Sequence, residues 1–428
     1  MTYLRKRALL FFLVFTFLIY LIYVLFLNRP EQNIYADMNN YLNLALNISN
    51  GNYLNKWNTF YPPGMPYLMS LFLMIFKQTV ALKIIAILLA VFLTASNYLV
   101  FLISLEISKS KKIAWFAMIF CSFYYPFITY IGFYLSEVPF TFFMLLAIWF
   151  YLKIFINQKK QSNIFAFNAG LILAVVVLFR SIFFPSALLL MIFSFFLNKK
   201  NYLKICYYII GFILILTIII IRNSYIMGRL TFVSTNGGIN AYLGQAHLAK
   251  VNNQTDESTT FFYNNNCGYD KTLIKEETFN FNAYDEDKFY NKIFQLWKKD
   301  PLSQIKISIV NGAYMFYPIK HWPIRNNNFQ GSLDLIFQYF FVILVYLPFV
   351  YLIFKKIVRR KFSKYDAVLL LPITGLVLMA MITKGEERYL VPYQYLMVIF
   401  VAPVWSNFII IFKKNISNLK YKKINLLL

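Results

Sequence analysis

At 428 residues, 60% hydrophobic and 20% aromatic with a mean hydropathy of +0.57, the chain carries more apolar surface than a water-soluble globule could bury. Its net charge of +25 would suit nucleic-acid binding, but the Lys and Arg residues fall in short clusters between apolar runs of spanning length, the pattern of an all-α polytopic membrane protein. Three cysteines without paired spacing and only two histidines, His247 and His321, argue against a disulfide framework and a His-based metal site.

In chain order, Arg5, Lys6 and Arg7 precede an apolar run over 8–27 that resembles a signal peptide. The run is too long and no small-residue cleavage site follows, so a retained first helix is expected. Further apolar runs predict spans at 84–105, 113–133, 138–156, 163–179, 182–198, 203–221, 334–354, 366–383 and 392–412. Both termini then lie on one side. The basic clusters at 5–7, 109–112, 159–160, 199–200, 355–364 and 413–423 fall on that same side, which the positive-inside rule makes the cytoplasm. Of the 17 acidic residues, only Glu106 and Asp366 face that way, so the functional surface is expected outside. The excess of Lys, Asn, Ile, Phe and Tyr points to an AT-rich bacterial genome and hence to an inner membrane.

Residues 1–428 read as one membrane-embedded domain, with a first outer loop over 28–83 and a long outer loop over 222–333. Within the first loop, the apolar stretch 65–76 is too short to span and predicts an interfacial or re-entrant helix. Arg180 and Pro185, between the short runs 163–179 and 182–198, predict a hairpin with an outward tip, the alternative being one kinked helix. In the second loop, 304–317 predicts a partly amphipathic helix lying on the membrane and ended by Pro318.

Polar residues flanking these runs are the candidates for chemistry. Asp37 follows the first span closely; a carboxylate at that depth can act as a general base or simply cap the next helix. Glu137 opens another span and can likewise serve a site or a helix terminus. Arg180, Arg222, Lys77, Lys83 and Arg388 are cations on the outer side, suited to a phosphate or to snorkelling; Arg388 can also pair with Glu386 or Glu387. Tyr41, Tyr61 and Trp57 could line a sugar site or belong to an interfacial belt. Asn236 and Gly237 suit close approach to a polar ligand or an ordinary turn.

In order, these pieces resemble the membrane glycosyltransferases of the GT-C fold, specifically the group of protein O-mannosyltransferases and lipid A aminoarabinose transferases. The resemblance rests on Asp37 with Tyr41, Phe60-Tyr61-Pro62-Pro63-Gly64, Leu135-Ser136-Glu137-Val138-Pro139, Leu178-Phe179-Arg180, Arg222-Asn223 through 234–240, and Arg388-Tyr389 with Pro392. It implies a sugar donor on polyprenyl phosphate, inverting transfer and Asp37 as base, with Glu137 as second acid and Arg222 at the phosphate. Met38 stands where protein mannosyltransferases carry a second acid, which favours a glycan or lipid acceptor over a protein. No cofactor is required, a carboxylate-bound divalent ion remaining open. An O-antigen polymerase or ligase and a flippase of lipid-linked sugars are the rival readings.

Overall fold

The structure is a computed structural model that describes residues 3–157, 162–197, 202–246, 286–317 and 328–424. His247, Cys267, His321, Pro318 and much of the 222–333 loop lie outside the described residues. Among those described, all regular structure is helical.

The first span is α1 (Tyr3–Ile22), continued by one π-helical turn to Leu27. Two short helices of the first loop follow, α2 (Asp37–Ser49) and α3 (Gly64–Leu73). At ten residues α3 is too short to cross, in line with an interfacial segment. The long α4 (Gln78–Ser108) precedes α5 (Lys111–Phe123) and α6 (Tyr125–Thr129), which bend by 54° at Tyr124. The span expected over 113–133 is thus this bent pair of helices. Pro126, in the first turn of α6, has no N–H to continue the ladder.

Next come α7 (Glu137–Tyr151), α8 (Asn163–Phe179), α9 (Phe184–Leu197) and α10 (Tyr202–Met227). Phe179 stacks on Phe143 and Phe165 on Phe150, so α8 runs antiparallel to α7. From Arg180 the chain returns: Ser186 Oγ donates to the Pro372 carbonyl and Tyr151 OH to the Leu190 carbonyl. The hairpin reading, with Arg180 at its tip, therefore replaces the kinked helix. The second loop contributes α11 (Gly237–Ala246), α12 (Glu286–Lys299) and α13 (Pro301–Tyr314). The chain ends with α14 (Asn328–Phe341), a π turn, α15 (Leu347–Val358), α16 (Lys364–Ile382) and α17 (Glu387–Ile424).

Six of these stretches are long and apolar enough to cross a membrane, or seven with the bent pair as one span. The helices α8 and α9 are apolar but shorter. The helix expected over 304–317 is α13, which packs against α16 and α11 and buries Gln304, Ser308 and Asn311, leaving Leu302, Ile305 and Ile309 exposed. Its polar stripe is the packing face, because in an apolar surround polar groups turn toward protein partners.

The bundle sorts its charge by end. At one end Glu106 meets Lys109, Lys153 and Asn157, and Asp366 closes a capping box with Ser363 while accepting from Lys356. At the other end lie Asp37, Glu137, Arg180, Glu386 and Arg388.

Between these ends, α8 and α10 pack with their backbones in near contact. A Cβ on Gly170 would stand 1.9 Å from the Tyr208 carbonyl oxygen, and one on Gly211 would stand 2.2 Å from that of Phe167. Backbone cannot step aside as a side chain can. Gly170→Val and Gly211→Val should therefore each destabilise the fold by about 1–3 kcal/mol or more, read as a lower unfolding midpoint in detergent; an unchanged midpoint would refute this packing.

Candidate active site

The cavity at the end that holds Asp37 and Arg388 is built mostly from helix termini. Its volume is about 290 Å³. The walls include Asp37 and Tyr41 at the start of α2, Glu137 at the start of α7, Arg180 after α8, Asn236 and Gly237 at the start of α11, and Arg388 in the first turn of α17.

Asp37 is the first residue of α2, not its N-cap, so the capping alternative does not describe it. The preceding Ala36 sits at φ 46°, ψ −124°, a left-handed conformation that costs an L-residue on the order of 1–3 kcal/mol and so has to be held by its surroundings. The holding contacts are on the carboxylate. Tyr61 OH donates to Oδ1 at 3.2 Å, and Arg388 Nη1 donates to Oδ2 at 3.0 Å. Tyr61 in turn accepts from Asn40 Nδ2 at 2.9 Å. Burial first, and then the adjacent carboxylate, push the Tyr61 phenol well above its usual range, which keeps it a proton donor to Asp37.

Tyr61 owes its place to the turn that carries it. The Tyr61-Pro62-Pro63-Gly64 segment docks on the end of α8, where a Cβ on Gly64 would fall 2.8 Å from the Leu178 carbonyl and from Phe179. Only glycine permits that approach, and it fastens the first loop one residue from Arg180.

A second ion pair faces Asp37 across the cavity. Arg180 Nη1 lies 3.0 Å from Glu137 Oε1, and its guanidinium sits over the Tyr389 ring at 4.9 Å. Glu137 is 3% exposed and Arg180 9% exposed, yet Glu137 Oε2 and Arg180 Nη1 make no aligned hydrogen bond. Buried polar atoms with unused hydrogen-bonding capacity on a cavity wall are suited to ligand hydroxyls or phosphate oxygens.

Behind Arg388 stands Glu386, which accepts from Arg388 Nε at 2.6 Å and pairs with Lys384. Burial alone would raise the Glu386 carboxyl, but Arg388 and Lys384 hold it down at about 2. Of the two partners that the sequence left open for Arg388, Glu386 has this contact.

The structure thus brings Asp37, Glu137, Arg180, Arg388, Tyr41, Tyr61, Asn236 and Gly237 to one cavity. Four other predicted residues do not line it. Arg222 instead braces the first loop, donating to the Tyr53 carbonyl at 2.9 Å and to Asn223 Oδ1 at 2.8 Å, because α10 continues past it to Met227. Lys77 and Lys83 are exposed where α4 begins. Trp57 stacks on Phe60 at 4.9 Å and meets Tyr61 edge-on, behind the wall. Ser136, Ser181, Asn240 and Thr383 also line the cavity; Ser136 and Asn240 fall within the stretches that carry the resemblance, adjacency to Arg180 could have flagged Ser181, and nothing local marks Thr383. Among the described residues, no three His, Cys, Asp or Glu side chains gather closely enough to hold a metal ion.

No protein-family model matches the chain, and no curated protein matches it. Among solved structures it aligns with the oligosaccharyltransferase of Archaeoglobus fulgidus, crystallised with a tethered acceptor peptide, at 15% identity and a TM-score of 0.43. The alignment covers 93% of this chain and 49% of the other, so the chain spans about half the length of that protein.

The ion pairs of the site carry an acid-side prediction. Glu386 binds fewer protons folded than unfolded, so its stabilisation is complete above its ordinary 4.5 and is lost as the pH falls toward about 2. Up to about 3 kcal/mol is at stake, since moving a proton equilibrium tenfold takes roughly 1.4 kcal/mol. Unfolding midpoints of wild type and Glu386→Gln at pH 5 and pH 3 should differ more at pH 5, the variant showing the shallower loss; parallel profiles would contradict this.

Proposed function

We propose that the protein is a GT-C-type enzyme that transfers a sugar from a polyprenyl-phosphate donor to a hydroxyl of a glycan, lipid or protein acceptor. The reaction takes place on the extracytoplasmic face of the membrane, with inversion. The observation that carries this reading is the meeting of a carboxylate, Asp37, with two guanidinium groups, Arg180 buried and Arg388 partly buried, in a cavity at the end of a membrane-spanning bundle. A phosphate anchored in a bilayer by its prenyl chain arrives at that depth. Water and membrane meet there too, so a soluble acceptor can reach it.

A second feature supports a lipid-linked donor. An apolar groove of about 420 Å³ runs between α9 and α10, and its flank exposes Ile192, Phe195 and Ile213. Phe184 and Phe232 meet edge to face at its head, two residues after Ile182 of the cavity wall. A prenyl tail in the groove would present its phosphate to Arg180.

In the proposed reaction Asp37 accepts the proton of the acceptor hydroxyl as its oxygen attacks the anomeric carbon, and the bond from that carbon to the phosphate oxygen breaks on the opposite side. Arg180 and Arg388 stabilise the departing phosphate, and side chains supply the positive charge the route needs. In this reading Glu137 Oε2 and Tyr41, both on the cavity wall, bind sugar hydroxyls. The cavity sits among helix termini rather than at mid-bundle, which favours transfer over transport.

Membranes containing wild type should consume radiolabelled polyprenyl-phosphate sugar, and Asp37→Asn should lower the rate at least about 100-fold, as loss of a general base does. Tyr61→Phe, which removes one hydrogen bond worth about 1 kcal/mol, should cost only about fivefold. Equal rates for Asp37→Asn and wild type would move the polymerase or ligase reading ahead.

A further inference from the structure

Among the described residues that line the cavity, the cations are Arg180 and Arg388, and each already faces an acid: Arg180 faces Glu137, and Arg388 is shared between Asp37 and Glu386. The lining therefore holds no surplus positive charge for an arriving phosphate. The reaction makes this demand sharper, because a phosphodiester with one negative charge leaves as a monoester that gains a second.

The contacts of Arg388 suggest how the demand is met. Resting on the transferase reading, we propose that Arg388 is handed from Asp37 to the leaving phosphate by the proton transfer itself. When the acceptor hydroxyl gives its proton to Asp37, the carboxylate becomes neutral and no longer holds the guanidinium as an ion pair. At the same moment the acceptor oxygen bonds to the anomeric carbon, the bond from carbon to the phosphate oxygen breaks, and its electron pair stays on the phosphate. Two negative charges stand on each side of the step: carboxylate and diester before, monoester dianion after. Arg388 loses one counterion as the phosphate acquires the equivalent charge. Glu386, which accepts from Nε at 2.6 Å, keeps the guanidinium in place by its far edge while Nη1 changes partner. Glu386 is thus a positioning residue and Arg388 a catalytic one. Arg180 is not equivalent, since its partner Glu137 takes no part in the proton transfer.

Competition between Asp37 and phosphate for one guanidinium can be measured without knowing the sugar. The probe is farnesyl phosphate, a short analogue of the lipid product, with farnesol as the uncharged control, binding to the purified full chain in detergent. Asp37→Asn should tighten farnesyl phosphate at least about fivefold, the lower range of site-to-site coupling, while abolishing turnover. Arg388→Gln should weaken it, and adding Asp37→Asn to Arg388→Gln should then bring no gain. Arg388→Lys keeps the charge and should retain the gain, which guards against a misfolded Gln variant. If Asp37→Asn leaves affinity unchanged, or its gain survives in Arg388→Gln, simple repulsion or no coupling is at work and the hand-over is wrong. An Asp37→Asn protein that binds farnesyl phosphate no better than farnesol would overturn the transferase reading along with it.

Discussion

Arg388 lies 351 residues from Asp37 in sequence and holds its carboxylate at 3.0 Å, with Glu386 on the guanidinium's other edge. Both side chains are partly buried, so desolvation offsets part of their attraction. Removing one partner nevertheless leaves a partly buried charge with one counterion or donor fewer. Such a pair therefore selects an arrangement more than it adds stability. It requires the first loop, which carries Asp37, and the start of α17, which carries Arg388, to be in place together.

The surrounding structure can be understood as the means of meeting that requirement. Gly64 docks the first loop on the end of α8, and Thr235 N donates to the Thr59 carbonyl at 2.8 Å, which ties the segment before α11 to the same loop. Lys384 N donates to the Asn240 carbonyl at 3.1 Å, joining α11 to the turn that leads into α17. Arg222, reaching back to Tyr53, braces the far side. All four contacts join segments remote in sequence, and those of Gly64, Thr235 and Lys384 converge on the cavity.

This explains what could and could not be read from the chain alone. Asp37, Glu137, Arg180 and Arg388 stand out because an ionisable residue beside an apolar run is costly enough to be conspicuous. Their pairing is not legible, since no local pattern links Asp37 to a residue 351 positions away. Arg222 shows the limit of reasoning from position along a span: the outer end was visible, but the phase of a helix that continues to Met227 was not. The π turns at Tyr23–Leu27, Leu152–Ile156 and Val342–Tyr346 carry no residue signature, unlike the bend that Pro126 announces. On α13, a polar stripe that looks water-facing by the rules of soluble helices is instead buried against α16 and α11.

The central claim is that one cavity and one groove together receive a lipid phosphate, head and tail. Photo-cross-linking tests it most directly, using a prenyl phosphate with a photoreactive group on its chain and locating the adducts by peptide mass spectrometry. The account predicts adducts on α9 and α10 around Phe184, Leu188 and Phe212, suppressed by unlabelled prenyl phosphate and reduced by Arg180→Gln. Adducts spread evenly over the bundle surface, or confined to other helices and indifferent to Arg180, would contradict it.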